Sequence, residues 1–181
     1  MSSPIVGLYR NIYGIQPKWN RLYLEPHLTS ELSGTKLRYW LRGQWYTIEL
    51  DMDRKQITVG DFTVSDCNPL AVNVMSDTLE YFFSEQKKPS MKVQRSSNRP
   101  LELRINTWSE TGDGKRKWTE ICNNGEITTR HVVYSLMVNT GYKVSQNGAE
   151  SDSIKSDASG IISFDVKLTP LKPQVIELKR L

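Results

Sequence analysis

Long apolar runs are missing from this chain of 181 residues. None approaches the roughly 20 residues that cross a bilayer, so no membrane-spanning helix is expected. The opening Met1-Ser2-Ser3-Pro4 lacks a basic stretch followed by an apolar one, and the sequence reads as a mature or truncated soluble chain. Cysteine is scarce: Cys67 and Cys122 are too few for a disulfide scaffold and too far apart for a C-x-x-C metal or redox motif, so unpaired thiols are the default. The two histidines, His27 and His131, have no H-x-x-x-H or Cys/His cluster beside them, and a zinc site lacks ligands. His27 instead suits a strand-to-loop turn. No G-x-S-x-G, G-x-x-x-x-G-K or G-x-G-x-x-G run is present, which leaves nucleophilic and nucleotide chemistry unsupported and no cofactor expected. Alanine is rare and helix-period runs are short, whereas Thr, Val, Tyr and Trp are interspersed throughout; this composition favours strands.

Charge is unevenly spread. Residues 1–86 carry 8 Lys and Arg against 10 Asp and Glu, while residues 87–181 carry 16 against 10. Nucleic-acid binding asks for clustered cations among exposed aromatics, but the one tight basic run is Lys115-Arg116-Lys117, beside an expected turn. That run reads as a solvated hairpin tip, and no nucleic-acid partner is expected.

Ile5, Leu8, Ile12 and Ile15 recur at spacings of three and four, which predicts a short amphipathic helix over residues 5–16, ended by Gly14 and Pro17. From Leu22 the period changes to two, and Pro26 closes that strand. Lys36 to Leu41 and Trp45 to Asp51 flank Arg42-Gly43-Gln44 as a hairpin, with Tyr46, Ile48 and Leu50 on one face. Gln56 to Val59 and Phe62 to Val64 form a second hairpin across Gly60-Asp61, and Val72, Val74 and Leu79 to Phe83 supply further strands. Residues 84–90 hold no large apolar side chain and are the expected domain boundary. Beyond it, strands are expected at Leu101 to Trp108, Lys117 to Cys122, Ile127 to Tyr134, Tyr142 to Gln146, Ile161 to Val166 and Val175 to Lys179, with Asn147-Gly148 a type I′ turn. Leu136 lies six residues ahead of Tyr142, in the manner of the tyrosine corner of fibronectin type III-like sandwiches, where the hydroxyl bonds upstream backbone. The expected fold is therefore all-β: two tandem β-sandwich-like domains, 1–86 and 91–181, with a short N-terminal helical lead.

The stretch Gly14-Ile15-Gln16-Pro17-Lys18-Trp19-Asn20-Arg21-Leu22-Tyr23-Leu24-Glu25-Pro26-His27-Leu28 resembles the junction that follows the helical barrel of (α/α)6 glycosidases. It is similar to the start of the C-terminal β-domain of α-L-rhamnosidases and, more loosely, of cellobiose phosphorylase relatives. Arg42-Gly43-Gln44-Trp45-Tyr46-Thr47-Ile48 resembles their R-G-x-x-Y-x-I hairpin. The likeness covers about residues 5–60; the second half departs from it and looks like an appended fibronectin- or immunoglobulin-like module. The resemblance implies a C-terminal region of a secreted bacterial glycoside hydrolase, periplasmic or extracellular, whose acid and base carboxylates lie on a catalytic barrel upstream of Ile5. No catalytic residue carries over.

Two pairs of acids stand close in sequence, Asp51 with Asp53 and Glu110 with Asp113, but all four fall at strand ends or turns, where carboxylates cap local backbone. The aromatic side chains offer another chemistry, because a Trp face stacks on the apolar face of a sugar ring. Trp19, Trp40, Trp45, Trp108 and Trp118 qualify, and Trp108 and Trp118, flanking the polar segment 109–117, are the candidate carbohydrate-binding residues, set against the favoured reading that both rings point inward as core. The leading expectation is a non-catalytic accessory region that packs on the catalytic barrel and positions it. The alternative is a carbohydrate-binding module that holds a glycan.

Overall fold

The computed structural model describes residues 4–19, 21–111 and 114–181. As expected, the fold is all-β with one short N-terminal helix. Helix α1 (Pro4–Asn11) leads into β1 (Ile15–Lys18) and β2 (Arg21–Leu24), a tight hairpin. The helix is shorter than the isoleucine spacing predicts. Gly14 takes φ +60°, and Ile15 already belongs to β1, because the chain must turn there to cross Glu25.

Four hairpin strands follow: β3 (Thr35–Leu41), β4 (Gln44–Leu50), β5 (Lys55–Val59) and β6 (Phe62–Asp66). Alternation carries their inner residues into one row, Leu37 opposite Ile48, then Ile57, then Val64. Strands β7 (Leu70–Met75), β8 (Thr78–Phe83) and β9 (Met91–Arg95) cross to the other sheet. The second half adds β10 (Leu101–Trp108), β11 (Arg116–Cys122), β12 (Ile127–Val133), β13 (Gly141–Gln146), β14 (Ala149–Lys155), β15 (Ile162–Leu168) and β16 (Gln174–Arg180). Asn147 and Gly148, at φ +50° and +82°, form the expected turn between β13 and β14.

One sheet runs β1-β2-β7-β8-β9-β12-β15 and the other β14-β13-β16-β11-β10-β6-β5-β4-β3. The two halves of the sequence lie side by side, and both sheets run unbroken from one to the other. Residues 84–90, expected as a linker, form the connection between β8 and β9, which pair with Leu79 opposite Val93. In the facing sheet β6 pairs in parallel with β10, Val64 opposite Leu103. One buried cluster joins Leu24, Ile48 and Val64 of the first half to Trp118, Val166 and Leu178 of the second. The expected boundary therefore lies inside a continuous sandwich. A stretch lacking large apolar residues marks a surface connection as well as it marks an interdomain linker, and here it is the former.

Candidate functional site

Trp108 and Trp118, the candidate carbohydrate-binding residues, are core residues, as the need of a sandwich this size for inward aromatics favours. Trp118 is fully buried and Trp108 is 6% exposed, so neither presents a ring face to a ligand. For Trp118 the inward turn follows from alternation along β11. For Trp108 it follows from a bulge: the register of β10 against β11 shifts between Ile105 and Thr107, so the alternation that buries Leu101, Leu103 and Ile105 resets and delivers Trp108 to the inside. The Trp108 ring lies 5.1 Å from Tyr81 and 6.1 Å from Trp118, and the Arg116 guanidinium sits 4.9 Å above it. Arg116 corrects a second expectation. It is no solvated hairpin cation but fully buried, donating to the carbonyls of Ser109, Tyr134 and Ser135 while burial pulls its pKa down to about 10. Lys115 and Lys117, its neighbours, lie 3.3 and 3.8 Å from the Glu177 carboxylate.

The other buried polar groups are also spent on the fold. Glu120 enters the core from β11; its Oε1 receives a hydrogen bond from Trp118 Nε1 at 3.0 Å and also meets His131 Nε2, and its Oε2 receives one from Thr129 Oγ1 at 2.8 Å. Thr129 and His131 belong to β12 in the opposite sheet, so this cluster ties the two layers together. Burial pushes the Glu120 carboxyl up, but the charge of His131 and the hydrogen bonds from His131, Thr129 and Trp118 outweigh it and hold the group below the ordinary carboxylate range. Asp66 accepts from Tyr81 Oη at 2.6 Å and from the Asn68 amide at 2.8 Å; burial raises its pKa despite these bonds. Asp51 and Asp53 are exposed residues of the β4–β5 turn, and Glu110 accepts from the Trp108 indole at 3.3 Å and from Gln86. Asp113 lies outside the described residues. Cys67 is exposed and Cys122 buried, both free. Among the described residues no cluster of His, Cys, Asp and Glu is arranged to hold a metal ion, and no helix is long and apolar enough to cross a membrane.

The open surface gathers elsewhere, at the margin where β1 and β3, outer strands of the two sheets, come under α1. Tyr39 turns inward from β3 and meets Tyr9 of α1 at 6.2 Å; Tyr9 in turn packs edge-on against Tyr13. That contact seats the helix. The opposite alternation of β3 points Arg38 and Trp40 outward, and the hairpin register sets Trp45 directly across from Trp40. Their rings are 5.1 Å apart and tilted by 59°, 53% and 50% exposed, with the Arg38 guanidinium 4.5 Å from the Trp45 ring. Between this hairpin and α1 runs a cleft of about 750 Å³ floored by Ile15 and Pro17 and walled by Ile5, Val6 and Tyr9. Its charged lining is Arg10, Lys18 and Arg38, with no carboxylate among the residues that line it. Lys18 is engaged with Glu85 and lies 4.4 Å over the Tyr23 ring. Trp19, a further exposed aromatic, sits outside the cleft under the Lys87 ammonium. Of the five tryptophans, Trp19, Trp40 and Trp45 are exposed, and Trp40 and Trp45 line the cleft.

No protein-family model, curated protein or solved structure matches this chain.

Proposed function

We propose that this chain is a non-catalytic accessory module of a secreted, periplasmic or extracellular carbohydrate-active enzyme, whose catalytic helical barrel it packs against and positions. The observation that carries this reading is the apolar surface left open around α1. Ile5 and Val6, 66% and 55% exposed, stand beside the half-exposed Trp40 and Trp45, while Glu120 and His131 in the core are bonded to each other across the sheets. Contiguous exposed apolar side chains of this size serve contacts with another surface. The likeness of residues 14–28 to the segment after a glycosidase barrel supports a barrel as the partner, and on this reading bond cleavage belongs to it. Mass spectrometry of the native polypeptide tests this: it should be several times heavier than the 20.8 kDa of these residues and hydrolyse glycosides, and a product of 20.8 kDa overturns it.

A second reading has its own observation. Cross-strand Trp40 and Trp45 beside Arg38, opening onto a cleft within the roughly 300–1,000 Å³ range of small-ligand sites, form an aromatic platform with polar groups at its rim. On this reading the module holds a glycan at Trp40 and Trp45, and not at Trp108 and Trp118. Calorimetric titration with neutral and acidic oligosaccharides separates it from the packing role.

A further inference from the structure

We propose that the cleft between α1 and the β3–β4 hairpin selects an acidic saccharide, a uronate-containing chain, stacking one ring on Trp40 and receiving its carboxylate at Arg38 and Arg10. The inference rests on the glycan-binding reading of this cleft and adds the charge of the ligand.

The lining is one-signed. Its three cations face no lining carboxylate, and of these only Lys18 has an acidic partner, Glu85, among the described residues. Arg10 and Arg38 are exposed and have no acidic partner among the described residues, although elsewhere the surface pairs its charges, as Lys36 does with Glu49 and Lys92 with Glu80. A positive cleft with apolar walls raises the local concentration of anions, and a guanidinium fork fits a carboxylate better than it fits a hydroxyl. The aromatic geometry narrows the anion to one with a ring face. Arg38 lies over Trp45, which leaves Trp40, half-exposed and tilted 59° from it, as the ring we assign to stack a pyranose. A sugar bound there lies beside the Arg38 guanidinium on the same outward face of β3. At about 750 Å³ the cleft has room for a few rings.

The test titrates the 181-residue chain with trigalacturonate and with its fully methyl-esterified form, following tryptophan fluorescence and heat. Trigalacturonate should bind saturably, at least about tenfold tighter than the ester, and the difference should shrink as salt is raised. Trp40→Ala should abolish binding of both while the melting temperature stays near that of the parent. Arg38→Gln should weaken the acid, Arg38→Gln with Arg10→Gln should bring it to the level of the ester, and neither should change the ester. Equal affinity for acid and ester overturns the charge selection and leaves the glycan reading intact. No saturation by either up to about 10 mM overturns both, and the cleft is then a packing face only. Undiminished binding by Trp40→Ala and Arg38→Gln, with both variants folded, removes the ligand from this cleft.

Discussion

At the scale of single residues, two buried hydrogen-bonding groups hold more of the fold than their number suggests. Tyr142 is buried, and its hydroxyl accepts the Met137 amide at 3.0 Å, five residues upstream, as the tyrosine-corner spacing predicts. Tyr142→Phe keeps the ring and strands that amide, and should cost about 1–3 kcal/mol in urea unfolding. Glu120 makes a sharper case, because its pKa is lowered in the folded chain. A carboxyl held below its unfolded value stabilises fully above that value, about 4.3, and its contribution disappears as pH falls through the folded value. Glu120→Gln removes the charge facing His131 and should cost about 3 kcal/mol at neutral pH. The gap between variant and parent should narrow as pH falls below about 4.3, the unfolded value, which unfolding midpoints at a series of pH values measure. A gap independent of pH would mean that Glu120 acts through packing and not through its charge. Sequence spacing disclosed Tyr142, since corner and hydroxyl are local. It hid the Glu120 cluster, because Glu120, Thr129 and His131 meet only when β11 and β12 face each other across the core.

At the scale of elements, alternation located most strands, and local geometry defeated it in a few places. Residues of β4 and β5 read inward and outward in sequence as they stand in the sheet. β14, Ala149–Lys155, escaped because an edge strand of that composition shows no apolar alternation, and β9 because Met91–Arg95 offers two inward apolar residues between a proline-containing loop and a serine cluster. The bulge in β10 inverted Trp108, and no periodicity in the sequence announces a bulge. The helix ended early for a reason that is also steric. A Cβ on Gly14 would stand 1.9 Å from the Glu25 carbonyl oxygen, at a φ of +60° that side chains rarely adopt. Glu25 and His27 donate backbone hydrogen bonds to Gly14 and Ile12 there, so α1, β1 and the end of β2 are fastened at this crossing. Gly14→Ala should therefore lower the melting temperature by at least about 5 °C, and hydrogen exchange should show the loss first in α1 and β1. The same variant should reduce any ligand affinity of the cleft, since α1 is one of its walls.

At the scale of the whole molecule, the cleft exists because the sheets are continuous: β3 and β1 end up as outer strands on one margin, and α1 closes over them. Five tryptophans were visible in the sequence, but which of them face water depends on where each strand lies in its sheet. Trp118 sits on a central strand and is buried, while Trp40 and Trp45 sit on the terminal hairpin and stay half-exposed. Continuity also decides what a cut in the chain should do. Lys87 and Lys88 lie exposed in the β8–β9 connection, where trypsin can cut after Lys87, the bond after Lys88 being protected by Pro89. Cleavage there leaves β8 paired to β9 from Thr78 opposite Gln94 to Tyr81 opposite Met91, β6 paired to β10, and the shared core beneath both seams. Separating the fragments would expose that core and break both ladders, at roughly 25 cal/mol for each Å² of apolar surface uncovered. The nicked protein should therefore elute from gel filtration as one particle and unfold in one cooperative transition, at lower stability than the intact chain because the link between the halves is gone. Two fragments that part in native buffer and each melt cooperatively would show that the seams are weaker than either half, and the halves would then have to be treated as independent sandwiches.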